Sequence, residues 1–221
     1  MAVYDDPVQA IREALPEFLE LARIGVEHQK PGGGVLGYPS AVCLFAVVDA
    51  IGSYYRGHPT FTVDVDGKPM PIAKDRASDH ILILNSEFFG FSFTEAELRA
   101  LYRIGRSPLT HNALIGEGQW LHADEGDGRA IVARSDGMHV YLHAFHRLCQ
   151  EAVERFLRVA ADVITKSLAM QELHSKAELT YANEVQEAMA KILGDAINTP
   201  PVQVTAFAPP RRGEPPGSRS E

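Results

Sequence analysis

The sequence predicts a mostly α domain of the α+β class, a helical bundle carrying β-hairpin insertions. Three observations lead there. Apolar residues recur at three- and four-residue spacing over long stretches near both ends of the chain, the period of a helix with one buried face. The stretch from Ser40 to Tyr55 is apolar almost all the way round, as befits a helix at the centre of a bundle. Between the helical stretches, short alternating runs end in Asp-Gly turns, which marks strands and hairpins at about 58–93 and 116–143. A chain of 221 residues with 45% apolar content can bury one sizeable core, assigned here to 1–198.

Asp5-Asp6-Pro7 opens the first helix, with carboxylates at the positive end of its dipole and proline in its first turn. Val8, Ile11 and Leu15 form its stripe. Pro16 kinks or restarts it, and the apolar face continues to about His28 before Pro31-Gly32-Gly33-Gly34 breaks the pattern. The central helix follows, closed by Arg56-Gly57. Phe61, Val63 and Val65 alternate with polar residues up to Asp66-Gly67, a strand and a tight turn. Ile81 to Leu84 is a second strand candidate short enough to be helical, and Phe88, Phe89, Phe91 and Phe93 plug the segment into the core.

Later, Gln119–Ala123, Arg129–Ala133 and Met138–His143 are separated by Asp/Gly-rich turns, the pattern of two successive hairpins. A long helix from about Ala144 to His174 carries Phe145, Cys149, Val153, Phe156, Ala160 and Ile164 on one face. A more polar helix covers 176–193, and the tail 199–221, rich in proline, glycine and charge, is expected to be disordered.

A net charge of −8 argues against a protein whose main work is gripping long nucleic acid, though a local cationic site needs only a few groups. Cys43 and Cys149 fall in apolar helical patterns without metal or redox spacing, which reads as a reduced, cytoplasmic chain. The N-terminus has no signal-peptide pattern, and no window is apolar enough to span a membrane.

The chemistry concentrates between Thr94 and Ile115. Thr94 and Glu97 stand at capping-box spacing, Leu98, Leu101 and Tyr102 mark a buried helical face, and Ile104-Gly105 ends that helix. Ser107 is then a good N-cap and Pro108 a good first residue for another helix. On this reading Arg106 sits just outside a helix N-terminus, with His111 about one turn inside. A cation beside a helix start suits phosphate. Asp49, the ionisable residue of the central helix, needs a partner and would orient Arg106 or Arg103. The same residues also fit a buried structural pair of Asp49 with Arg103 and Arg106, with His111 a helix-end hydrogen bonder.

The segment YRIGRSPLTHN, Tyr102 to Asn112, together with the apolar helix AVCLFAVVDAIGSYY, resembles the HEPN superfamily. These are helical bundles whose motif is R-x(4–6)-H at the start of inner helices. The resemblance covers about thirty residues. It implies metal-independent RNA cleavage without a cofactor, often in toxins or defence proteins with an antitoxin partner, by homodimers that set the motif at their interface. Other members of the superfamily only bind nucleotides or scaffold. By the resemblance Arg106 would hold the scissile phosphate and His111 would move protons, supported by Tyr102, Arg103, Ser107 and Asn112.

Two further patterns stand apart. The R-x4-H spacing recurs at Arg23–His28 and at Arg134–His139, in a helix and across a Ser-Asp-Gly turn. His139, His143 and His146 invite a metal with Asp124 or Glu151, but the change from strand to helix near Ala144 favours hydrogen bonding instead, and no metal is expected. Asp124 to Gly128 reads as a solvated turn rather than a cation loop.

Overall fold

In a computed structural model, which describes residues 6–106, 116–168 and 170–172 and the side chains of all but 104–106 among them, Asp6 starts the first helix. Its carboxylate accepts from the Val8 amide at 2.9 Å, and Pro7 takes the first helical position. The helix α1, Pro7–Glu27, runs through Pro16 without restarting. The chain divides into two units, Met1–Ser175 and Lys176–Glu221, and the described residues all belong to the first. The domain end expected at 198, the helix over 176–193 and the tail from 199 lie outside the described residues.

Helix α2, Gly37–Tyr54, begins three residues earlier than the sequence suggests. Ser40 explains the shift: its hydroxyl sits 2.9 Å from the Leu36 carbonyl and 3.0 Å from Ala22 on α1, so it joins two helices instead of capping one. Ala41, Leu44, Phe45, Val47, Val48 and Ile51 are buried, which is the all-round burial that a central helix requires. It packs on α1, on the last long helix and on the segment 77–85.

The hairpin β1 (Val63–Val65) and β2 (Lys68–Met70) turns at Asp66-Gly67, whose φ values of 54° and 73° are those of a two-residue hairpin turn. Ile81–Leu84 is not a strand. These residues lie in a 3-10 helical segment, Ala77–Asn85, with all four side chains buried. A half-exposed strand would have shown one face to solvent, and this apolar run has none to show. Gly52 makes room for it, since a Cβ there would lie 2.3 Å from the His80 carbonyl oxygen. Phe88, Phe89 and Phe93 enter the core, and Phe91 stacks on Phe93 at 4.6 Å between ring centroids.

Helix α3, Glu95–Ala100, has the expected capping box, with Thr94 and Glu97 each bonding the other's backbone. Leu98 and Leu101 anchor it in the core. The helix does not end at Ile104-Gly105: its winding widens to a π turn over Leu101–Arg106, and the helix start expected at Ser107-Pro108 lies outside the described residues.

Strands β3 (Gln119–His122), β4 (Ile131–Arg134) and β5 (Gly137–Tyr141) form one sheet in the order β3-β5-β4. Only β4 and β5 make a hairpin; β3 runs parallel to β5, so the expected first hairpin is absent. Gly137 permits this pairing: a Cβ on it would fall 1.9 Å from the Gly118 carbonyl oxygen. Helix α4, Leu142–Lys166, leaves β5 directly and buries Phe145, Cys149, Phe156, Ala160 and Ile164 against α1 and α2. The described residues are thus mostly helical with two small sheets, an α+β architecture that includes three long helices. None of the helices among the described residues is long and apolar enough to cross a membrane.

Candidate functional site

Two regions gather chemistry. The first is the end of α3. Leu98 and Leu101 fix the helix in the core, which leaves Arg99 and Arg103 on its outer side with Glu95. These three, with Asp66 from the hairpin turn, line an open cleft of about 620 Å³. Arg99 is held in place: one guanidinium nitrogen donates to Asp79 at 2.6 Å, and Asp79 is buried. Arg103 is exposed and Tyr102 half-buried. The helical backbone then carries Arg106 one turn beyond Tyr102 and Arg103. Ser107, His111 and Asn112, and the side chain of Arg106, lie outside the described residues.

Asp49 does face inward from α2, but the partner described for it is a histidine. His80 donates from Nδ1 to its carboxylate at 3.3 Å. The other ring nitrogen, Nε2, is buried without a hydrogen bond. A buried, unbonded imidazole nitrogen is costly, and it is the backbone of His80 that packs against α2 at Gly52. Asp49 and Asp79 lie on neighbouring elements, one engaging His80 and the other Arg99.

The second region is the outer face of the three-stranded sheet, which the sequence only half disclosed. Register places Trp120 opposite His139, and His122 opposite Tyr141, so all four rings share one face. They form a ladder: Trp120 on His139 at 6.0 Å, His139 on His122 at 5.1 Å, His122 on Tyr141 at 4.6 Å, each pair within 19° of parallel. Within it runs a hydrogen-bonded chain. Asp136 lies 3.0 Å from His139 Nε2, and His139 Nδ1 lies 2.8 Å from His122 Nε2. The bond from His139 holds the Asp136 carboxyl below its usual range, so it is a carboxylate near neutrality. A carboxylate only accepts, so in the neutral form of His139 Nε2 is the donor and Nδ1 the acceptor, which makes His122 Nε2 the next donor. His122 Nδ1 is left as an acceptor, with no hydrogen bond among the described residues.

Arg134 reaches across this face from β4 and donates to the Tyr141 hydroxyl at 2.5 Å. The clue in the sequence was the recurrence of R-x4-H at Arg134–His139, with polar rings two residues apart on each of β3 and β5. The metal reading of His139, His143 and His146 dissolves here. His139 is engaged as above, while His146 sits in the core and donates to the Leu19 carbonyl at 3.0 Å. Asp124 accepts from the Gly126 amide and Glu151 pairs with Arg155. No group of three metal-binding side chains converges among the described residues.

The chain matches no family model, no curated protein and no solved structure.

Proposed function

We propose that this is a metal-independent RNA-cleaving protein of HEPN-like build, with Arg106 binding the scissile phosphate and His111 transferring protons. One observation supports it most: the π-wound turn Leu101–Arg106, which ends on the motif arginine beside the open cleft of Arg99 and Arg103. π turns within helices are rare and occur frequently at functional sites. Arginine stays charged at any working pH and offers a planar fork to phosphate. In the proposed step, histidine takes the proton of the ribose 2′-hydroxyl, whose oxygen attacks phosphorus. The 5′-oxygen leaves with a proton from a second donor, and a 2′,3′-cyclic phosphate remains.

The proposal extends to a homodimer in a cytoplasmic toxin or defence setting, with an antitoxin as partner. Phe18, Leu21 and Ile24 of α1 and Tyr38 at the start of α2 are exposed, an apolar surface of the kind a second copy covers. Both cysteines are unpaired, in keeping with a reducing compartment.

A second reading has its own support. Asp66 and Glu95 line the same cleft as the arginines, and the chain carries a charge of −8. Carboxylates there repel a polyanion, which favours a non-catalytic nucleotide-binding or scaffold protein. Incubation with RNA in EDTA separates the two: new 2′,3′-cyclic ends support cleavage, and intact RNA, with nucleotide binding that is lost in Arg103→Ala, supports the second reading.

A further inference from the structure

We infer that the outer face of the three-stranded sheet is a separate ribonucleotide-binding site, where a base stacks on Trp120, the phosphate meets Arg134 and a ribose hydroxyl donates to His122 Nδ1. The site uses none of the residues of the α3 cleft.

Each contact follows from something the fold already fixes. Trp120 is the end rung of a four-ring ladder and is 50% exposed, with its ring backed by His139. An exposed ring held rigid by stacking from behind is a platform for a nucleobase, because a base of any identity offers a flat π face. In the neutral tautomers that the hydrogen-bonded chain favours, His122 presents Nδ1 as an acceptor, ordered through His139 by Asp136. A ribose hydroxyl is the donor that fits it, and the 2′-hydroxyl is the group that tells RNA from DNA.

Arg134 supplies the charge. It is exposed, its described hydrogen bond goes to a neutral phenol, and no carboxylate stands within ion-pair distance of it among the described residues. Its remaining N–H groups are therefore available to a phosphate. Asp136 lies on the same face, where its carboxylate accepts from His139 and also feels the charge of Arg134.

Trp120 is the single tryptophan of the chain, so its emission reports on this site alone. The test titrates the full chain with adenosine 5′-monophosphate, its 2′-deoxy analogue, adenosine and inorganic phosphate, following that emission. The inference expects saturable quenching by the ribonucleotide, weaker binding of the deoxy analogue and of adenosine, and no quenching by phosphate alone. Arg134→Gln should weaken the nucleotide by about tenfold or more, down to the level of adenosine, while Arg134→Lys, which keeps the charge, recovers most of the loss. His122→Gln should abolish the preference for ribose over deoxyribose.

Unliganded emission and far-ultraviolet circular dichroism matching wild type confirm that a variant is folded. Absence of saturable quenching by the folded wild-type chain at millimolar nucleotide overturns the site. Equal affinity for ribose and deoxyribose forms overturns the role of His122, and an Arg134→Gln variant with wild-type affinity overturns that of Arg134. None of these readouts involves cleavage, so a failed RNA-cleavage assay leaves them unaffected.

Discussion

His122 Nε2 and His139 Nδ1 lie 2.8 Å apart on paired parallel strands, and Asp136, bonded to the far side of His139, dictates which of them carries the proton. The tautomers follow from that order. In their neutral forms both rings should be protonated at Nε2 and bare at Nδ1, an assignment that nitrogen–proton correlation spectra read directly. A His122 ring protonated at Nδ1 would show that the relay runs the other way. Asp136→Asn removes the fixed acceptor and should allow both tautomers of His139 to be populated.

The core histidine makes stability fall with acid. Burial first, then the charges of Arg23 and His143, push the His146 pKa below its ordinary 6.5, against the opposing pull of its bond to the Leu19 carbonyl and the charge of Glu27. A pKa lowered by folding means that the unfolded chain binds the proton better. The stability from keeping His146 neutral is thus full above about 6.5 and is lost as pH falls below it. Urea melts between pH 7.5 and 5 should show this decline, and it should be smaller in His146→Gln, whose amide can still donate to Leu19. An equal decline in both proteins would assign the effect to other groups.

Arg99 and Asp79 form the ion pair that seats α3 on the 3-10 segment. The Asp79 side chain is 4% exposed and that of Arg99 17%, so removing the carboxylate strands a charge with little access to water. Asp79→Ala should cost about 3 kcal/mol, read from urea denaturation at constant slope. A loss below about 1 kcal/mol would mean that Arg99 swings out to solvent, as surface pairs allow.

The thiols give a third check on packing. Complete burial holds the Cys149 thiol well above its ordinary pKa, and partial burial raises that of Cys43. A disulfide reagent should find Cys149 inert in the folded chain and reactive in denaturant, with Cys43 modified slowly in between. Rapid native labelling of both would contradict the packing of α4 on α2.

What the sequence made legible was set by local physics. The capping box at Thr94 and Glu97, the turn at Asp66-Gly67 and the all-round apolar α2 each rest on residues within a few positions of one another, and all three stand in the structure. The misreadings were non-local. Ile81–Leu84 has an apolar run that either a buried strand or a buried helix satisfies, and Gly52, thirty residues away in sequence order, decides for the tight helix. The parallel pairing of β3 with β5 depends on Gly118 meeting Gly137, which no turn signal encodes. For the same reason the His139 pattern was visible as spacing, while its partners His122 and Asp136 were not. Ile104-Gly105 looked like a helix end because glycine usually is one, yet the winding continues to Arg106 in a widened turn.

The most direct test of the account is cleavage of a mixed RNA pool in EDTA by wild type, Arg106→Ala and His111→Ala, compared at matched fold and oligomeric state. The account predicts 2′,3′-cyclic ends from wild type and a loss of at least about a hundredfold in each variant, the scale of removing a general acid–base group or a phosphate clamp. Equal cleavage by all three, or none by any, would contradict it.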